Sequence, residues 1–136
     1  MFKTILVPID MAHAAEGKTN LDIAAKQGAD GAQIILLNVV EEIPTWAAAE
    51  IPASLLDQSR LAAQAELKSV ADASGMSVDV EVRSGHPYKT ILEVAEERKA
   101  DLIIVASHQP GLQDYFLGST AAKVVRHAHC SVLVIR

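Results

Sequence analysis

Residues 101–136, DLIIVASHQPGLQDYFLGSTAAKVVRHAHCSVLVIR, decide the fold. Asp101 to Ala106 and Ser131 to Arg136 are short, near-continuous runs of Val, Ile and Leu. Strands read this way when helices bury them on both faces of a parallel sheet. Between the two runs, Gly118 to His127 spaces Ala121, Ala122, Val124 and Val125 for one helical face. A strand, a helix and a second strand in succession predict a parallel pair joined by a right-handed crossover.

Upstream, the same alternation repeats. Phe2 to Pro8 (FKTILVP) and Gln33 to Val40 (QIILLNVV) are apolar runs of strand length. Ser77 to Arg83 differs, because VDVEV alternates apolar and acidic residues and so predicts a half-exposed edge strand. Ala14 to Gly28 reads as a helix with Leu21, Ala24, Ala25 and Gly28 on one face and the glycine as its stop. Ser54 to Ser74 follows with Leu55, Leu56, Ala62, Ala63 and Leu67, and Gly75 ends it. Pro87 to Arg98 opens on a proline, harmless at a first helical position, with Ile91, Leu92, Val94 and Ala95 on its apolar side. The expected architecture is α/β, an open five-stranded parallel sheet with helices on both faces, in one domain over residues 1–136. One connection is long, Glu41 to Pro52, and carries Pro44 and Trp46; such loops are commonly functional.

Composition narrows the function. The chain has 136 residues, 50% of them hydrophobic and only 4% aromatic, so an aliphatic core is expected. A net charge of -5 disfavours nucleic acid and anionic membrane, both of which are bound through clustered Lys and Arg. No segment reaches the roughly 18 unbroken apolar residues of a membrane span. A lone cysteine, Cys130, excludes an internal disulfide and reads as a small core hydrophobe. A soluble cytoplasmic protein is the expectation.

In a doubly wound sheet, ligands bind beyond the carboxyl ends of the strands, where strand order reverses. That rule selects Pro8, Ile9 and Asp10 after the first strand, Val39 to Glu41 after the second, and Ala106, Ser107, His108 and Gln109 after the fourth. Asp10 can accept hydrogen bonds from ribose hydroxyls or hold a divalent ion; the alternative is that it caps the next helix. Gly118, Ser119 and Thr120 begin the last helix, where free N–H groups and the positive dipole end suit a phosphate. Ser and Thr are also ordinary caps there. The chain has neither a GxxxxGK[ST] loop nor a GxGxxG after the first strand.

KTILVPID, LLNVV, GHPYKTILEVAEERKADLIIVASH and LGSTAAKVVRHAHCSVLVIR together resemble the universal stress protein family over essentially the whole chain. The closing segment, a Ser-His loop, Leu-Gly-Ser, a helix ending Arg-His-Ala and a Val-rich strand, is similar to the family's closing pattern, and ASH-x-P followed by Tyr-Phe-Leu-Gly-Ser resembles its small F/G-type subgroup. The resemblance implies a Rossmann-like fold of the adenine nucleotide alpha hydrolase kind with strand order 3-2-1-4-5. It also implies an adenine nucleotide, ATP or AMP, bound with or without Mg2+. Pro8, Ile9 and Val39 would then line the adenine pocket and Asp10 would meet the ribose or a metal on the phosphates. Val105, Ala106, Ser107, His108 and Gln109 would pass beside ribose and phosphates, with Gly118, Ser119 and Thr120 donating to the phosphates. Ala106 and Gln109 depart from the family's glycine pattern for ATP binding, G-x2-G-x9-G-[ST], and the span to Gly118 is one residue shorter.

The role implied is a stress-response sensor or regulator, not an enzyme beyond slow ATP hydrolysis, because no general base or phosphate-clamping lysine is evident. The alternative is a nucleotide-free dimeric interaction module of the same family. The family also implies a homodimer through residues 131–136, an apolar edge that is a liability unless paired. His127, His129 and Cys130 read as a helix-to-strand connection rather than a metal cluster. Glu93, Glu96, Glu97, Arg98 and Lys99 read as a solvated helix face.

Overall fold

The computed structural model describes residues 1–10, 16–41, 45–107 and 118–136. Among these residues five strands and five helices follow in the order β1 (Phe2–Pro8), α1 (Gly17–Gln27), β2 (Gly28–Val40), α2 (Thr45–Ala48), α3 (Ala53–Ser74), β3 (Asp79–Ser84), α4 (Pro87–Glu97), β4 (Leu102–Ala106), α5 (Ser119–His127) and β5 (Ser131–Ile135), alternating except at α2 and α3. The strands form one sheet in the order β3-β2-β1-β4-β5, and every pairing is parallel. The expected class and strand order are both present.

Period-two alternation along the strands divides the core into two layers. Ile5, Val7, Ile34, Leu36, Leu102 and Ile104 face α1 and α3, where Leu21, Ala24, Leu67 and Ala71 meet them. Leu6, Ile35, Leu37, Ile103 and Val105 face α4 and α5, against Ile91, Val94, Ala121 and Val124. The near-continuous apolar runs thus have a cause: each strand must be apolar on both sides. No helix among the described residues is long and apolar enough to cross a membrane.

Several boundaries and faces differ from expectation. β2 begins at Gly28, not Gln33, because Gly28 already pairs with Phe2; the register then slips before Thr4 meets Gln33, with Gly31 at φ 77 in the slipped stretch. Gly28 does end α1, but in extended backbone. Its merit is room, since a Cβ there would lie 2.9 Å from that of Ala32. Gly75, by contrast, is left-handed at φ 72, as a helix stop often is. Ala14 lies outside the described residues, and Ala25 is exposed rather than on the buried face of α1. In α3 the packed face is Ala63, Leu67 and Ala71. Leu55, Leu61 and Ala62 are exposed there, and no residue of that helix before Ala63 is buried. The long connection contains α2, whose Trp46 is 81% exposed.

The acidic positions of β3 and the charges ending α4 are not simply solvated. Arg83 pairs with Glu97 through both guanidinium nitrogens and with Glu81 at 2.8 Å. Arg98 bridges Glu81 at 3.0 Å and Asp79 at 2.6 Å. The hydrogen bond to Glu97 raises the Arg83 pKa and, reciprocally, that to Arg83 lowers the Glu97 carboxyl. This lattice ties the edge strand to α4 and covers that edge with charge, which discourages further strand addition.

Candidate functional site

All strands point their carboxyl ends at one edge of the sheet, and a cavity of about 600 Å3 opens there. β1 contributes Pro8, followed by Ile9 and Asp10; β2 contributes Asn38, Val39 and Val40, followed by Glu41; β4 contributes Val105 and Ala106. The first turn of α5 adds Ser119, Thr120 and Ala121, preceded by Gly118. Nine residues picked out beforehand, Pro8, Ile9, Asp10, Val39, Val105, Ala106, Gly118, Ser119 and Thr120, therefore share one cavity. His108 and Gln109 lie outside the described residues.

Ser107 is not on the wall; it holds the wall in place. Its N–H donates to Ile135 at 2.8 Å, and its Oγ accepts the N–H of Gly118 at 3.2 Å. The end of β4 is thereby fastened both to β5 and to the start of α5. Ala106 sits in β4 without positive φ, so its methyl needs no unusual backbone.

At α5 the capping alternative falls away. The N-cap of α5 is Gly118, which has no side chain to offer, and Ser119 and Thr120 lie within the helix. The first intrahelical bond runs from Ala122 N–H to Gly118, leaving the N–H groups of Ser119, Thr120 and Ala121 without helical partners. Gly118 has φ -58 and ψ 153, a conformation open to any residue. The alternative for Asp10, a cap on the following helix, turns on residues 11–15, which lie outside the described residues.

A second fastening holds the exit of β1. The Ile9 N–H donates to Leu37 at 2.8 Å, and the Asn38 carboxamide donates to the Ile9 carbonyl at 3.0 Å. Asn38 is buried, so this bond is shielded from water and fixes where the chain carries Asp10 into the cavity. On the far side of β2, the Gly85 N–H donates to the Val40 carbonyl at 2.9 Å. Gly85 has φ 152, and a Cβ on it would lie 2.6 Å from Thr90 Oγ1.

Sequence reasoning missed the helix residues of the wall: Glu16 and Asn20 on the α1 side, Ser59 and Ala63 on α3, Pro87 and Ile91 on α4. The signal was available for Asn20, a polar residue inside the stripe formed by Gly17, Leu21 and Ala24. Sheet alternation gives the cavity two unlike sides. Val105, Ile91 and Ala121 belong to the core layer of α4 and α5, with Val39 packed on it. Asn20 of α1, Ser59 of α3 and Asn38 of β2 line the cavity as polar residues outside that apolar layer.

No group of three or more His, Cys, Asp or Glu among the described residues could hold a metal ion. Cys130 lies at the opposite edge of the sheet, beside Asp101 and His129. Burial foremost, and the charge of Asp101, push its thiol pKa up, which makes it a poor nucleophile. His127 stacks on Tyr88 with ring centroids 6.1 Å apart, and Lys123 lies 5.0 Å from the same ring.

Known proteins with the same sequence features and fold are consistent in kind. The family model described as "Universal stress protein family" matches residues 1–136. A universal stress protein of Methanocaldococcus jannaschii is 30% identical over 100% of this chain and 83% of its own length. Universal stress protein G of Shigella flexneri is 30% identical over 100% of both chains. Among solved structures, the universal stress protein UspA from Lactobacillus plantarum superposes with a TM-score of 0.76 at 29% identity, covering 98% of this chain and 97% of that one. A universal stress protein solved in complex with cAMP shares the fold at a TM-score of 0.71 and 22% identity, over 99% of this chain and 97% of that one. With the strand order, the fastened strand exits and a match that runs from the first residue to the last, the chain belongs to the universal stress protein family.

Proposed function

We propose that the chain binds an adenine nucleotide in the cavity at the carboxyl edge of the sheet and acts as a stress-response sensor or regulator. The observation that carries this reading is the join of two features in one space. An apolar wall of Pro8, Val39, Val105 and Ile91 suits the faces of a flat base. Beside it, the first turn of α5, whose N–H groups have no helical partner, lines the same cavity with the hydroxyls of Ser119 and Thr120, which suits phosphate oxygens. Asp10 lies between and can take the ribose hydroxyls. The universal stress protein solved with cAMP makes adenine nucleotides the ligand class to test first.

No Lys or Arg is among the described lining residues, so nothing there clamps a transferring phosphoryl group, and turnover of ATP is slow or absent. For the same reason ATP needs Mg2+, held by the phosphates with Asp10 as one oxygen ligand, whereas AMP does not. Calorimetric titration with AMP, and with ATP with and without Mg2+, tests the reading. Saturable heat is expected for AMP and for MgATP, and a larger residue at Gly118 abolishes it with the fold intact. Absence of heat and of thermal shift at millimolar ligand sinks the reading and leaves a nucleotide-free interaction module.

The same reading includes a homodimer through β5. The two edges of the sheet are unlike: β3 carries the charges of Asp79, Glu81 and Arg83, while β5 (SVLVI) carries none. An edge without charge, bulge or proline is the one suited to pairing with a copy of itself.

A further inference from the structure

The buried stripe of α1 is Gly17, Asn20, Leu21 and Ala24. Leu21 and Ala24 join the apolar core on that side of the sheet, but the fourth member is an amide, 3% exposed. A buried carboxamide costs folding free energy unless it is hydrogen-bonded. Asn38, buried close to the same cavity wall, has its partner in the Ile9 carbonyl. Among the described residues none pairs with the Asn20 side chain, and the cavity is what Asn20 lines.

Topology says which part of a nucleotide would arrive there. In the order β3-β2-β1-β4-β5, the start of α5 follows β4, whereas α1 lies between β1 and β2 and packs on both. A nucleotide anchored by its phosphates at Gly118, Ser119 and Thr120 therefore extends its base toward β1 and β2. Its ring faces meet Pro8 and Val39, and its polar rim is turned to the α1 side. A carboxamide offers one donor and one acceptor side by side, the complement of the adjacent amino group and ring nitrogen of adenine.

We infer that Asn20 reads the base: its carboxamide hydrogen-bonds the amino and ring-nitrogen edge of the adenine bound in the cavity. The inference rests on the adenine-nucleotide reading above and deepens it by naming a specificity residue.

A cycle that changes the residue and the ligand group in turn tests it. AMP and purine riboside 5′-monophosphate, which lacks only the 6-amino group, are titrated into the wild-type chain and Asn20→Ala. For two groups in contact the losses do not multiply. Removing the amino group weakens binding to the wild type by roughly fivefold or more, the low end for a paired base contact, and hardly changes binding to Asn20→Ala. If both ligands bind and the two losses multiply to within twofold, Asn20 does not touch the base edge; AMP binding itself then stands and this inference falls. If the wild type binds neither ligand, both readings fall.

The second readout is the ligand-free melting temperature of Asn20→Leu, which keeps the size of the side chain while removing its polar atoms. A residue kept for a ligand is a burden to the empty protein, so the midpoint rises in the variant. A lower midpoint means the carboxamide has a structural partner and overturns the inference.

Discussion

Replacing Gly85 by alanine tests how the β3–α4 turn holds the cavity wall. Gly85 is buried at φ 152, and an added Cβ would sit 2.6 Å from Thr90 Oγ1, a separation that real Cβ atoms do not tolerate. The backbone conformation itself costs a residue with a side chain about 1–3 kcal/mol, and the overlap adds about 1–3 kcal/mol. Thr90 cannot easily step aside, because it is buried in the first turns of α4 and its N–H is held by His86. A total near 3 kcal/mol is a fair working figure. With an unfolding entropy of about 2.1 cal/mol/K per residue, 136 residues give about 0.29 kcal/mol/K, so the midpoint falls by about 10 °C. Calorimetry on Gly85→Ala, Thr90→Ala and the double variant separates the two costs. In the Thr90→Ala background the overlap is gone, since the next atom, Thr90 Cβ, is 3.9 Å away, and only the backbone strain remains. The same turn positions Pro87 and Ile91 on the cavity wall, so nucleotide affinity falls in the single variant and partly returns in the double one. A Gly85→Ala midpoint within 2 °C of the wild type, or an equal cost in both backgrounds, refutes the reasoning.

Asp101 gives a pH signature. Burial opposes its ionisation, but the N–H groups of Lys3 and Thr4 bond its carboxylate at 2.9–3.2 Å, and the net effect, with its own N–H and the Lys3 charge, holds its pKa below the usual value. A lowered folded-state pKa means the contribution is complete above the unfolded value near 4 and is lost as pH falls through the lower folded one. Asp101→Asn is therefore less stable at pH 7, by about 1–2 kcal/mol, and loses less on acidification than the wild type; parallel urea midpoints at pH 7 and pH 3 would count against this. For the dimer, light scattering should return twice 14.5 kDa at micromolar concentration, and Val134→Glu, which charges the β5 edge, should return the monomer mass. A wild-type monomer at that concentration rules the contact out.

What could be read in the residues follows from how local each signal is. The strands were legible because a doubly covered strand is apolar throughout, as in Ile34 to Leu37 or Leu102 to Val105, and no neighbour is needed to see it. The start of β2 was not, because GADGA has no apolar period and joins the sheet only by pairing with Phe2. Asp79 and Glu81 announced an edge strand, but their partners Arg83 and Arg98 converge only when α4 packs across β3. The site residues at strand ends were legible for one reason: in a parallel sheet all those ends lie on one side. Ser59, Pro87 and Ile91 were not, since which turn of a helix overlooks the cavity depends on how the helix is docked. Leu55 and Ala62 misled for the converse reason, because an apolar spacing says nothing about whether a neighbouring element covers it.

The cavity also shows how an acidic chain could hold an anion. The chain carries -5 overall, and Asp10, Glu16 and Glu41 all line the cavity. No Lys or Arg is among the described lining residues to attract the phosphates, and the long-range field opposes their approach. What remains is local and directional: three backbone N–H groups and two hydroxyls at the start of α5. Such donors act only at contact distance and are indifferent to net charge, so they retain one phosphate well and a chain of three poorly unless a cation accompanies it. The fastening of Gly118 by Ser107 matters for that reason, since donors that work only at contact must already be in place when the ligand arrives. Beside the carboxylate of Glu16, the described polar residues of the α1 and α3 side and of β2 are two amides and a hydroxyl. Asn20, Asn38 and Ser59 can orient a base or hold the wall without adding to a field that already works against the ligand.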